Sequence, residues 1–471
     1  MNGPFGNRDF VRLFAGRVIT NAGDSLYFIA AMWLVYDLTG DPFYSGVAGF
    51  LTLAPSGLQA FFGPLVDRWD LRRLLVRTQV IQGVVILTLP VAHALGMLTA
   101  PLILVVMPVL STLNQFVYPA QTAALPRIVE DEELVEANSA FALAYQGIDS
   151  VFNAVGGVLI ALIGAVTLFV VDSVTFLAAA LLFATLTIPA AEGASEPDAG
   201  ESTVGPDTSD DGTDPETVPV TDGGEGSDDG EDGDEDGGEG SEDGSEGSED
   251  GEDGGYLTDL REGVEYLRGT FLAVLMGGSL VINFALGTMN STMPAYADGI
   301  GGPEAYGILL AALSIGVFVG AAVASRFERF RFGRLSIVGF LFGGLVWIAA
   351  IWIDWLPATA VLLGLAGVPV GTTNVLLNSL VQTVTPEPLL GRVSAVLGSV
   401  SSIMVPFGAL TGGTAASTFG PVPVMFVAGA GFLFLGAYVF AFPTLRHLPT
   451  ISSMDTLSAE GGSSGDGASG V

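Results

Sequence analysis

Arg17, Asn21 and Asp24 stand at i, i+4 and i+7 in GRVITNAGDSLYF, residues 16–28, a stretch otherwise oily enough to lie in a membrane. In a helix this spacing puts all three on one face within about two turns. Asp24 falls near mid-membrane, where an ionised carboxylate costs several kcal/mol unless it meets water, a cation or a proton. An acid held there by necessity binds and releases one of these. Asp24 is therefore the leading candidate for a coupling proton, with Arg17 modulating its charge state. Arg17 and Asp24 lie roughly 10 Å apart along the helix axis, too far for a direct pair without long side-chain reach or a partner from another helix.

Similar polar stripes recur on other apolar segments. Gln146, Asp149 and Asn153 share one face; Asn283, Gly287 and Asn290 share another; Asn114 pairs in spacing with Tyr118; and Asn374, Asn378 and Gln382 follow i, i+4, i+8. Together they can line one central cavity. Each amide can equally be interhelical hydrogen-bond glue, worth about 1 kcal/mol. Asp149 is the second acid to consider, whereas Asp172, in VVDSVTFL, reads as a structural hydrogen bonder on an outer helix. The pairs Gly156-Gly157 and Gly412-Gly413 read as close helix packing rather than chemistry.

Composition excludes several alternatives. The 471 residues include no cysteine and no lysine, so all 16 basic residues are arginine. That removes disulfides, cysteine metal sites, the P-loop lysine of a nucleotide-driven pump and the Schiff-base lysine of a retinal pump. With two histidines besides, no nucleophile or metal constellation emerges, so neither an enzyme, a metal site, a cofactor nor a nucleic-acid partner is expected. Of the 50 acidic residues, 26 lie between Ala191 and Gly255, leaving 24 against the 16 arginines elsewhere. An acidic, lysine-free chain suits a salt-rich cytoplasm, and a haloarchaeal source is expected.

Apolar segments near 11–36, 43–65, 74–97, 101–124, 137–163 and 166–189, then 270–294, 305–325, 334–355, 357–383, 391–416 and 422–443 have the length a bilayer core demands. The fold class is thus all-α membrane protein, twelve transmembrane helices in two pseudo-symmetric six-helix bundles. The bundles are 1–190 and 256–445, joined by an acidic disordered linker over 191–255 and followed by a flexible tail over 446–471. Arginines fall only in alternate loops, which places both termini and the linker in the cytoplasm. No cleavable signal peptide is expected, because charged residues flank and enter the first apolar segment. Span five, EANSAFALAYQGIDSVFNAVGGVL, matches span eleven, GRVSAVLGSVSSIMVPFGALTGGTA, in a Ser-Ala near its start and a Gly-Gly pair near the same depth. Duplicated halves of this kind bind substrate between them near the midplane.

GPLVDRWDLRR, between spans two and three, resembles the loop signature of the major facilitator superfamily, Gly-x-Leu-x-Asp-Arg-x-Gly-x-Arg-Arg. Gly63, Leu65, Asp67, Arg68, Arg72 and Arg73 match, and Asp70 replaces the inner glycine. The resemblance implies the twelve-helix fold and a cytoplasmic gate at this loop that stabilises the outward-open state. NRDFVRLFAGRVITNAGDSLYFIAAMWLVYDLTG and YPAQTAALPRIVEDEELVEANSA resemble the macrolide-efflux and enterobactin-exporter branch, which implies export. The family's span-five antiporter signature, roughly Gly-Pro-x-x-Gly-Gly, reads Phe152-Asn153-Ala154-Val155-Gly156-Gly157 here, without its first two residues, and span four lacks the arginine of many proton-coupled exporters.

The expected function is secondary active transport by alternating access, with proton-coupled efflux of a small amphipathic or hydrophobic compound in the lead. The partners are the substrate, a proton or sodium ion, and the lipid bilayer of the plasma membrane, with the chain acting as a monomer. A proton- or sodium-coupled importer is the first rival, and a membrane sensor or scaffold using the acidic linker the second. Replacing residues 191–255 with a neutral flexible spacer is expected to leave flux in proteoliposomes intact; loss of flux would favour the sensor reading.

Overall fold

The computed structural model describes residues 3–58, 66, 69–189, 267, 270–353, 355–448 and 450, and among these the only regular secondary structure is helix. The first half contains α1 (Arg8–Thr39), α2 (Pro42–Leu53), α3 (Leu71–Ala94), α4 (Ala100–Asn114), α5 (Val117–Ala124), α6 (Leu134–Ile163) and α7 (Ala165–Ala184). The second contains α8 (Phe271–Val323), α9 (Phe332–Trp352), α10 (Leu356–Val384), α11 (Glu387–Phe419) and α12 (Pro421–Ala441). The linker 191–255 and the tail beyond 450 lie outside the described residues.

Among the described residues, nine helices are long and apolar enough to cross a membrane. One of these, Phe271–Phe327, is 57 residues long. As a straight helix it would reach about 85 Å, nearly three bilayer cores. It holds two spans instead, because the backbone leaves helical geometry at Gly301 and at Gly302 (φ 71°, ψ −149°) before Pro303 restarts the helix. The positive φ at Gly302 is one that only glycine adopts readily, and proline opens a helix at no hydrogen-bond cost. Expected span four is likewise α4 plus α5. The segments expected at 43–65 and 137–163 correspond to α2 with the 3-10 turn Ala54–Leu58, followed by residues outside the described set, and to α6, on which the positions of the polar stripe around Asp149 fall.

Local signals start the helices. Asn7 accepts hydrogen bonds from the Asp9 and Phe10 amides to cap α1, and Asp41 accepts from the Phe43 amide to cap α2, with Pro42 as its first helical residue. The position where Asp70 replaces the signature glycine has φ −64°, so no glycine is required there. Asp70 instead caps α3 through the Arg73 amide (2.9 Å) and pairs with the Arg73 guanidinium (3.2 Å). Arg72 donates to the Ala184 carbonyl, and Arg12 to the Thr185 carbonyl (3.0 Å), so the start of α3 and of α1 are tied to the end of α7. Gly63, Asp67 and Arg68 of the expected gate loop lie outside the described residues.

The halves share one core, in which, at the end away from the termini, Trp33 of α1 packs on Tyr306 of α8 (ring centroids 5.3 Å), and which in the second half runs on to Phe332 and Leu445. Near the termini, the first half has its own core around Phe10, Leu75 and Phe183, and the second around Leu272, Val381 and Val396. Two backbone contacts hold the shared end. A β-carbon on Gly157 of α6 would lie 2.1 Å from the Gly307 Cα of α8, and one on Gly413 of α11 would lie 2.6 Å from the Gly46 Cα of α2. Tyr36 adds a hydrogen bond to Asp298 (3.2 Å) across the same end.

Gly157→Leu is expected to force this end apart. With no native cysteine to interfere, spin labels on Asp37→Cys and Glu304→Cys would report it as a longer inter-label distance; an unchanged distance would contradict the packing described.

Candidate functional site

Between the halves lies a cavity of about 530 Å³. Asn21, Asp24 and Ser25 of α1 and Asn114 of α4 line it from the first half, and Asn290, Tyr306 and Ser314 of α8 from the second. Phe28, Met32 and Met289 supply apolar surface in the same lining. A volume of this size holds a drug-like molecule, and an apolar lining with a few convergent polar groups is what small-molecule sites require.

Asp24 sits midway along the 32-residue α1. Its Oδ2 accepts a hydrogen bond from Asn114 Nδ2 (3.1 Å). That contact exists because the helix of expected span four breaks beside it. Pro119 has no N–H to give to the Gln115 carbonyl, and its ring clashes there. The backbone tightens accordingly to three-residue hydrogen bonds, Gln115 to Thr112 and Phe116 to Leu113, and α4 ends at Asn114. A helix interrupted at membrane depth is tolerated where it borders a cavity, and it presents polar groups a continuous helix would bury. Asn21 Nδ2, one turn before Asp24, is buried with no hydrogen-bond partner among the described residues.

Four of the candidate residues thus come together: Asn21, Asp24, Asn114 and Asn290. Arg17 is not in the lining. It is buried beside the cavity, where Nε donates to Gln121 Oε1 (2.9 Å) and to the Tyr145 hydroxyl (3.2 Å) and Nη1 to Thr20 (3.4 Å). Its guanidinium lies 5.6 Å from the Tyr145 ring centroid, and Tyr145 in turn donates to Gln121. Among the described residues no carboxylate pairs with Arg17. Its charge is accommodated by an amide, a phenol and an aromatic face instead. Tyr118 is half-exposed, one turn before Thr122, which bonds its carbonyl. Asn283 donates to the Ser279 carbonyl (2.9 Å) within α8. Asn374, Asn378 and Gln382 are exposed on α10 and outside the lining. Gln146, Asp149 and Asn153 fall on α6, but their side chains lie outside the described residues.

The sequence reading did not single out Tyr306, Met289, Gln121 or Tyr145. Pro119 directly after Tyr118 was the available signal for the break that positions Asn114.

With this geometry in view, the comparisons give the class. Residues 13–409 match the family model of the Major Facilitator Superfamily, and the chain belongs to that family. It is accordingly a multi-pass membrane transporter and not an enzyme. It is similar to the multidrug efflux pump Tap of Mycolicibacterium fortuitum, with 26% identity over 93% of this chain and 97% of that one. An uncharacterised transporter of the same family, YvqJ of Bacillus subtilis, is 23% identical over 93% of both chains. The solved bacterial homologue of the human lysosomal transporter Spinster, in its inward-facing and unoccupied conformation, superposes with a TM-score of 0.62 over 93% of this chain and 97% of that one, at 14% identity.

Arg17→Leu is expected to destabilise the protein by about 1–3 kcal/mol, since Tyr145 loses its donor and Gln121 Oε1 one of its two donors. A lowered midpoint in thermal unfolding of the purified protein would register this, and an unchanged midpoint would count against the cluster.

Proposed function

We propose that this transporter exports a small amphipathic compound in exchange for protons, and that Asp24 is the group that carries the coupling proton. The observation that carries the reading is an acid halfway through the membrane, hydrogen-bonded by Asn114 and facing a cavity built by both halves. A proton neutralises such an acid at little cost, and substrate bound in the same cavity changes the water and dielectric around it. Arg17, about two turns earlier on α1 with its charge held by Gln121 and Tyr145, biases the local field without entering the cavity lining.

The end that bears the termini gathers Arg12, Arg72, Arg73, Arg127, Arg326, Arg329, Arg334 and Arg446. Under the positive-inside rule that end faces the cytoplasm of a plasma membrane, with the opposite end closed by the two glycine contacts. On this reading the described form loads substrate from the cell interior. The outward direction rests on the near full-length similarity to an efflux pump and on the exporter-like segments of the first half. Phe28, Tyr306, Met32 and Met289 suit the apolar part of a substrate, and the amides Asn21, Asn114 and Asn290 its polar part.

The deciding measurement is flux in proteoliposomes of a panel of amphipathic compounds under imposed proton or sodium gradients. Proton-driven flux in the wild type and none in Asp24→Asn, with insertion and thermal stability kept, is the expected result. Normal gradient-driven flux in Asp24→Asn would overturn the role of Asp24, and drive by sodium alone would overturn the coupling ion.

A further inference from the structure

A second intramembrane carboxylate lies against α1 beside the first, outside the cavity lining. Asp172 of α7 is fully buried. It rests on the backbone of α1 at Gly23, where a β-carbon would lie 1.9 Å from Asp172 Oδ1 and 2.3 Å from the Thr175 hydroxyl. Only a residue without a side chain leaves this slot open. Because Gly23 and Asp24 are neighbours, about 100° apart around the helix, Asp24 can face the cavity while Gly23 receives Asp172 from behind.

The hydrogen-bonding inventory of Asp172 is short. Oδ1 accepts from the Thr175 hydroxyl (2.9 Å), which also reaches the Asp172 carbonyl (2.8 Å), while Oδ2 is buried with no partner among the described residues. The titratable groups that bear on it are Asp24 and Tyr27, both on α1. On its α3 side the close contacts come from Gly83, whose carbonyl accepts from Ser173 (3.1 Å) and whose Cα packs near the Phe176 β-carbon. Asp149 of α6 has its side chain outside the described residues. Arg17 is taken up by Gln121 and Tyr145. Among the described residues an ionised Asp172 would thus have one shared donor, no cation and a second carboxylate nearby. A proton on Oδ2 removes the charge.

We propose that Asp172 is a second proton-binding site, held as the neutral acid with its proton on Oδ2, and that it titrates together with Asp24 as a pair across Gly23. The pair carries at most one negative charge. Asp24 exchanges its proton with cavity water, and Asp172 keeps its own, so that one proton moves per cycle. The neutral state of Asp172 is what leaves Asp24 able to ionise in turn. This rests on the proton-coupled reading of Asp24 but is tested apart from it.

The experiment is infrared titration of the purified full-length protein, following the carbonyl stretch of protonated carboxylic acids from acid to alkaline pH. The wild type and Asp24→Asn are expected to keep a protonated-acid band at neutral pH that Asp172→Asn lacks. In Asp24→Asn that band should disappear at a lower pH than in the wild type, because the negative neighbour opposing ionisation of Asp172 is gone. Thr175→Val, which keeps shape but removes the donor to Oδ1, should move the band to higher wavenumber and covers the case in which Asp172→Asn does not fold. A band unaltered by Asp172→Asn, or by Thr175→Val, overturns the assignment of the proton to Asp172. Disappearance at the same pH with and without Asp24 overturns the pairing. If Asp24→Asn transports normally while these bands behave as expected, the coupling role of Asp24 fails and the proton on Asp172 stands.

Discussion

A carboxylate halfway along a 32-residue membrane helix has to be accommodated by something other than lipid, and much of the surrounding structure answers that demand. Asn114 meets Asp24 directly. Asp24 lines the cavity, and the second half of the bundle completes that cavity with α8. The break at Pro119 brings Asn114 to the acid, and near the termini the two halves keep separate cores.

Charge of the other sign is treated differently. Arg17 is buried about two turns away from Asp24 on the same helix, yet it looks toward α5 and α6. Its delocalised guanidinium is the least costly cation to bury, and an amide oxygen, a phenol and a ring face satisfy it without a counter-ion. The first half thus holds a buried cation and a buried acid on one helix, each with its own hydrogen-bond partners.

Much of this was legible in the sequence. The apolar segments, the alternation of arginines and the position of Asp24 follow from hydropathy and helical period, which act locally and leave marks in composition. The Gly-Gly pairs at 156–157 and 412–413 were readable as close packing, and both turn out to touch backbone of the opposite half. What the sequence did not reveal is which polar stripe faces which neighbour. Asn283 spends its amide on its own helix and Asn374 and Asn378 stand exposed on α10, because rotation of a helix about its axis is decided by tertiary packing, whereas Arg17 shares a face with Asp24 but its long side chain is taken up at its own depth by Gln121 and Tyr145. Asp172 read as an isolated hydrogen bonder because its proximity to Asp24 depends on a gap in another helix, at Gly23. Asp70, read as a departure from the loop signature, is a helix cap whose backbone never needed glycine.

The two glycine contacts have a geometric corollary. Gly157 on Gly307 and Gly413 on Gly46 touch main chain to main chain, with no side chains interlocked between them. Two points of support define a line, and a body resting on a line retains a single easy rotation about it while twists in other directions are resisted. Smooth, unkeyed bearings at both points make that rotation, like a lid on paired pins, the least obstructed movement of one lobe against the other, and it acts on the width of the cavity at the mouth away from the pins.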